Sequence, residues 1–209
     1  MKTILVANRK GGCGKTMTAI TIASALAKRG EKTALADADP QKSALRWLRQ
    51  RPADAASIAG LDWTKSGNVG DAPKQIEWLV IDAPGAIKEG RAQALIAEAE
   101  TVIAPVLPSY FDEDSTRRFL RDIEDIKRIR KGKVGLHLIA NRVRPQQKAA
   151  QRLQEFFDDL GHQPLAWITE RAAYADLAEE GLAVFDKPQR AFEAMRSQWE
   201  PVVASVIED

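Results

Sequence analysis

The stretch Asn8 to Met17, NRKGGCGKTM, limits the possible folds more than any other. It follows an apolar run, Thr3 to Ala7, that fits a buried strand. It precedes Lys15 to Arg29, where Ile20, Ala23, Leu26 and Ala27 recur at helical spacing and Gly30 supplies the stop. A strand feeding a helix through a glycine-rich turn aims several backbone N–H groups and the positive end of the helix dipole at one point, which suits a phosphate. The usual phosphate-loop pattern, GxxxxGK followed by Ser or Thr, requires glycine at position 9. This chain has Arg9 there, followed by Lys10.

The rest of the chain repeats the strand-then-helix pattern. Short Ile, Val and Leu runs at Lys32 to Asp37, Trp78 to Asp82, Thr101 to Val106, Gly135 to Asn141 and Pro164 to Ile168 alternate with helical segments at Glu113 to Lys131, Ala149 to Leu160 and Gln189 to Ile207. The last of these is expected to bend or restart at Pro201. Buried runs without polar alternation predict an α/β fold, a doubly wound and mostly parallel sheet with helices on both faces. The segment Pro52 to Pro73 has no clear period and is expected to be a surface excursion. With 209 residues, 44% of them hydrophobic, the expectation is one domain spanning residues 1–209.

Composition narrows the chemistry. Cys13 is the single cysteine, and with only His137 and His162 beside it no zinc or iron-sulfur set can be assembled, so any metal is expected on oxygen ligands. No apolar run is long enough to cross a membrane and the N-terminus lacks the form of a signal peptide, so a cytoplasmic location is expected. The net charge of +2 is unevenly spread. Ser115 to Arg152 carries twelve Lys and Arg against three Asp and Glu, whereas Leu153 to Asp209 carries four against twelve. A basic middle suits a polyanion.

Within the loop, the amides from Gly11 through Gly12, Cys13 and Gly14 to Thr16 would surround a β-phosphate, with Met17 beside them. Lys15 would reach the β- and γ-phosphates and the Thr16 hydroxyl would ligate Mg²⁺. Cys13 fills a position that requires only a small side chain and reads as a spacer. Two further strand ends carry carboxylates, LADADPQ with Asp37, Asp39 and Pro40, and WLVIDAPG with Asp82 and Gly85. An Asp at a strand end commonly caps the next turn, but three such ends on one phosphate loop favour a shared site.

The run KGGCGKT resembles the deviant phosphate loop of the ParA/MinD class of ATPases. The wider sequence is similar to its small plasmid-partition members, with Trp47 and the stretch ITERAAYADLAEEGLAVFD matching that subgroup. The resemblance implies ATP and Mg²⁺ as cofactors. It implies that Lys10 acts on the partner subunit's nucleotide in an ATP-dependent homodimer, a role for which a cation in place of glycine makes sense. It further implies that Asp39 positions the attacking water and that Asp37 and Asp82 sit near the metal. Asp39, Pro40, Asp82 and Gly85 then belong to nucleotide-sensing switches, and Asn141 contacts the adenine. The segment APVLPSYFDEDS resembles the family's dimer-interface region. Arg9, for the family's Gln or Pro, and Met17, for a second Thr, depart from the pattern without removing a ligand.

The same resemblance implies nonspecific DNA binding by the ATP dimer. Arg142, Arg144, Lys148, Arg152, Arg171 and Arg190 are the candidate phosphate contacts, giving a nucleoid-associated ATP state. With the loop starting at Asn8, no helix-turn-helix precedes it, so sequence-specific reading is not expected. The acidic tip of VVASVIED disfavours membrane binding. The partner implied is a ParB-like or cargo-adaptor protein with a basic N-terminal tail that stimulates slow hydrolysis. Two alternatives stand beside this: a small-molecule ATP-dependent synthetase with a pocket formed by Pro52 to Pro73, and a polar recruitment accessory for DNA transfer.

Overall fold

A computed structural model describes residues 1–65, 69–85, 89–124 and 126–208. Seven strands, β1 (Lys2–Val6), β2 (Thr33–Asp37), β3 (Ala59–Asp62), β4 (Trp78–Asp82), β5 (Thr101–Val106), β6 (Gly135–Val143) and β7 (Ala166–Thr169), form one sheet in the order β3-β2-β4-β1-β5-β6-β7. Every pairing is parallel. The helices are α1 (Lys15–Lys28), α2 (Ser43–Gln50), α3 (Glu89–Glu98), α4 (Tyr110–Glu124), α5 (Lys127–Arg130), α6 (Lys148–Leu160), α7 (Ala173–Glu179) and α8 (Glu193–Glu208). The expected doubly wound α/β architecture is observed.

Successive strand residues face opposite sides of a sheet, and both sides here are apolar. Leu5, Leu79, Ile81, Val102 and Ala104 pack with Leu95 of α3, Phe119 and Leu120 of α4, and Phe156 and Phe157 of α6. On the opposite face, Ile4, Val6, Val80 and Ile103 pack with Ile20 and Leu26 of α1, Trp47 of α2 and Trp199 and Val202 of α8. The central strands are therefore covered on both faces.

Several elements differ from expectation. The 52–73 segment contains β3, an edge strand paired only with β2, and its Trp63 is buried. The single helix expected from Glu113 to Lys131 is two. α4 starts at Tyr110, where Ser109 and Asp112 bond each other across the first turn, and α5 is a separate short helix. α8 runs through Pro201 without restarting. The carbonyl deprived of its partner there belongs to Ser197, an exposed residue. His137 is half-buried against α8, 3.4 Å from the Ser205 hydroxyl.

α2 is fixed at both ends. At its start the Leu45 N–H donates to Asp37 Oδ2 at 3.0 Å. At its end Arg51 forms a two-pronged pair with Asp186 at 2.8 and 2.9 Å, both side chains nearly inaccessible at 6% and 4%. Asp186 also accepts from Ser24 of α1, and the Arg51 guanidinium lies over the Trp47 ring. Burial pushes the Asp186 carboxyl up, but Arg51 and the other donors outweigh it and hold the group below its ordinary range.

Removing one member of a buried pair strands the other charge. Asp186→Ala is therefore expected to lower stability by about 3–5 kcal/mol in urea titrations near neutral pH. Because the native pKa is depressed, this contribution is present above the unfolded-state value of about 4. The gap between variant and wild type should narrow as pH falls below that value.

Candidate functional site

The site is assembled at the C-terminal edge of the sheet, where strand order reverses around β1, the usual crevice of an open α/β fold. Val6, Asp37 and Asp82 are in register across β1, β4 and β2. Backbone bonds from Ala83 to the Val6 carbonyl and from Ala38 to the Asp82 carbonyl extend the alignment beyond the strands. The three strand ends read from the sequence thus converge.

The loop between β1 and α1 is held from several sides. Asn8 is buried, and its amide donates to the Pro105 carbonyl and to the Thr116 hydroxyl of α4, both at 2.9 Å. Gly12 and Gly14 have φ of +79° and +95°, a region L side chains seldom enter. A Cβ on Gly14 would also stand 2.2 Å from the Asn141 amide nitrogen. That nitrogen donates to the Cys13 carbonyl at 2.8 Å, so β6 braces the loop directly.

Lys15 is 6% exposed and its ammonium donates to the Lys10 carbonyl at 2.8 Å. The Lys10 side chain is half-buried. Burial pushes the Cys13 thiol up, with Lys15 opposing and Asp112 reinforcing the shift. A fully enclosed thiol with a raised pKa is a poor nucleophile, which fits the spacer reading.

The carboxylates occupy different environments. Asp82 Oδ2 accepts the Thr16 hydroxyl at 2.7 Å, while Oδ1 is buried with no hydrogen-bond partner. Burial is the main cause that raises its pKa to about 7, with Thr16 and Lys15 opposing and Asp37 adding to the rise. Asp37 is buried and accepts the N–H groups of Asp39 and Leu45. Desolvation raises its pKa against those bonds. Asp39 is half-exposed and caps the Gln41 N–H, ahead of exposed Pro40. A Cβ on Gly85 would lie 3.3 Å from the Gly11 Cα, so the strand-end glycine rests against the phosphate loop.

Beside the loop opens a pocket of about 630 Å³, lined by Gly12, Gly14, Met17, Asn141, Tyr174 and the segment from Ile168 to Ala172 among others. Its floor includes Trp199, whose indole donates to the Tyr174 hydroxyl at 2.9 Å. The cleft is continuous with the loop and of a size to hold a nucleoside.

Residues 4–184 match the CobQ/CobB/MinD/ParA nucleotide binding domain. The chain belongs to this ParA/MinD-type ATPase family. Maintenance of carboxysome distribution protein A from Halothiobacillus neapolitanus is 30% identical over 188 residues, covering 88% of this chain and 86% of that one. The chromosome-partitioning ATPase Soj from Thermus thermophilus is 27% identical over 61% of this chain and 63% of its own. The fold matches the McdA(D38A)-ATP complex from Cyanothece with a TM-score of 0.74 at 18% identity, over 100% of this chain and 95% of that structure.

For a ParA/MinD-type member, most of the residues singled out in the sequence lie together. Gly11 to Met17, Asp37, Asp39, Asp82, Gly85 and Asn141 surround the loop and its pocket. Arg142, Arg144 and Arg171 line the same pocket. Lys148 and Arg152 lie on exposed positions of α6, and Arg190 stands apart at a 3-10 turn before α8. Sequence reasoning missed Asn8, which anchors the loop, and Glu170, which pairs with both Arg142 and Arg144. The apparent excess of free charge at those two arginines is therefore partly neutralised.

No group of three or more His, Cys, Asp or Glu side chains among the described residues is arranged to hold a metal alone. Mg²⁺ usually takes one or two carboxylates, waters and substrate phosphates, so the Thr16 hydroxyl and the unpartnered oxygen of Asp82 fit that donor set. No described helix is long and apolar enough to cross a membrane.

The native pKa of Asp82, about 7 against an ordinary 3.8, means that the folded protein binds a proton that the unfolded chain has released. The resulting penalty grows as pH rises from about 4 and levels off above about 7. Asp82→Asn is therefore expected to raise the melting temperature of the nucleotide-free protein at pH 8, with a smaller gain at pH 5. Differential scanning fluorimetry across that range is the check.

Proposed function

We propose that this chain is a partition-type ATPase that uses ATP and Mg²⁺ to switch between a free monomer and a DNA-bound dimer. The observation that carries the reading is the phosphate loop itself, in which Lys15 is buried under the loop and a second lysine, Lys10, directly follows Arg9, the residue that stands where glycine is usual. The names of the relatives, one concerned with carboxysome distribution and one with chromosome partitioning, support positioning of a cargo.

In this reading the amides from Gly11 to Met17 hold the phosphates and Lys15 exchanges the Lys10 carbonyl for phosphate oxygen. Asn141 and the pocket wall at Tyr174 receive the base. Thr16 and Asp82 would hold Mg²⁺, with Asp37 behind them. Bound there, the ion would neutralise the phosphate oxygens and ease departure of the terminal phosphoryl group. Asp39, on a half-exposed turn, orients the attacking water, and Gly85 leaves room for the second switch to close on the terminal phosphate. Lys10 reaches the partner subunit's nucleotide, because two ammonium groups approach only with a polyanion between them. A cargo-bound adaptor with a basic tail completes the site and accelerates hydrolysis, as inserted arginines do in other nucleotide hydrolases.

The basic face provides the DNA contacts. Arg142, Arg144, Lys148, Arg152 and Arg171 are all exposed, and dimerisation doubles them. The synthetase alternative finds less support. The 52–73 segment borders a cavity lined by Ala27, Lys32, Thr33 and Gln75, at the end of the sheet opposite the phosphate loop.

The test is DNA binding by the purified protein without nucleotide, with ADP and with ATP and Mg²⁺, on two unrelated duplexes. Binding only with ATP, equal on both duplexes and weakening steeply with salt, is expected. Asp39→Ala should retain ATP and stay on DNA after the wild type has hydrolysed and dissociated. Absence of DNA binding in every nucleotide state would overturn the reading.

A further inference from the structure

At the rim of the nucleotide pocket, one carboxylate serves two arginines. Glu170, immediately after β7, accepts hydrogen bonds from Arg142 Nη2 at 2.7 Å and Nε at 3.2 Å, and another from Arg144 Nε. All three residues line the pocket together with Asn141. The two guanidinium groups hold the Glu170 carboxyl below its ordinary range, so it is a carboxylate at neutral pH.

This cluster is connected to the phosphate loop. Arg142 has φ of 52°, a left-handed conformation uncommon for a residue with a side chain, and the β6–β7 register is irregular between Ala140 and Val143. The Arg142 N–H donates to Asn141 Oδ1 at 3.0 Å, and Asn141 Nδ2 donates to the Cys13 carbonyl at 2.8 Å. A continuous series of hydrogen bonds thus runs from the loop through Asn141 to Arg142, then through Glu170 to Arg144.

We propose that Glu170 is a charge mask. In the nucleotide-free protein it keeps Arg142 and Arg144 from DNA phosphates, and a base entering the pocket releases them by drawing on the Asn141 amide. The inference rests on the DNA-binding reading above and adds its regulation. The Asn141 carbonyl oxygen accepts the Arg142 N–H and its NH₂ group donates to the Cys13 carbonyl, so a base that turns the amide toward itself weakens the support of Arg142 in its left-handed conformation. The arginine side chains are 56% and 61% exposed, and ion pairs so open to water are weak enough for a competing interaction to undo. Release of two cations in each subunit then adds to the doubling that dimerisation brings, and needs only a change of partner at one carboxylate.

Glu170→Gln removes the charge while keeping size and an acceptor. Wild type, Glu170→Gln and the triple variant that adds Arg142→Ala and Arg144→Ala are compared for binding to a duplex of about 30 base pairs across a salt series, with and without ATP and Mg²⁺. A fluorescent ATP analogue reports nucleotide binding on each, and circular dichroism reports folding. Glu170→Gln without nucleotide is expected to bind about tenfold tighter than wild type near 100 mM salt, with a log–log salt slope steeper by about 1.8, the release of two cations. The triple variant should return to the wild-type level. Glu170→Ala should shift in the same direction, and serves if the amide perturbs folding. If wild type binds DNA with ATP but Glu170→Gln without nucleotide remains at background, the mask is wrong and the DNA reading stands. If no protein binds DNA in any state while the ATP analogue still binds, the DNA reading falls and the mask with it.

Discussion

The burial of the Lys15 ammonium beneath the loop between β1 and α1 is the constraint on which the rest of the site depends. A charge only 6% exposed must be surrounded by acceptors, and here the Lys10 carbonyl provides one. To bring that carbonyl inward, the loop passes through left-handed Gly12 and Gly14 and is pinned outside by Asn8 to β5 and α4 and by Asn141 from β6. The site therefore draws on the sheet beyond β1, since β5 and β6 on one side brace the loop and β4 on the other holds Thr16 through Asp82.

The same geometry sets the electrostatics. Lys15 and the buried Asp37 and Asp82 at the ends of β2 and β4 occupy one water-poor crevice. These two carboxylates bear a desolvation cost that a polyanion and its metal would redistribute. Asp82 shows this most clearly, with one oxygen bonded to Thr16 and the other without a partner. An arrangement so poorly satisfied in isolation is suited to ligand binding, because the missing interactions are supplied only when the crevice fills.

Much of this was legible in the residues. The GKT ending and the flanking periods located the loop, and ADADP and VIDAPG located the carboxylates, because those functions use local backbone geometry that the sequence writes directly. What the sequence did not reveal of Asn141 is its bond to the Cys13 carbonyl, a link that depends on how β6 lies against the loop. β3 was missed because Ala59 to Asp62 contains no β-branched residue and gains its strand form from pairing with β2. α2 was missed although Trp47 was noticed, since Asp186, which anchors its end through Arg51, lies far away in sequence. Glu170 was missed as the partner of Arg142 and Arg144 because it sits more than twenty-five residues beyond them.

The central claim is that Lys10 makes nucleotide binding and dimerisation one event. The most direct measurement is the molar mass of wild type and Lys10→Ala in solution, by light scattering with ATP and Mg²⁺, alongside ATP affinity for each. The account predicts a wild-type dimer that forms only with ATP and a Lys10→Ala variant that binds ATP but stays monomeric. A wild type that remains monomeric with ATP bound, or a Lys10→Ala variant that dimerises as well as wild type, would contradict it.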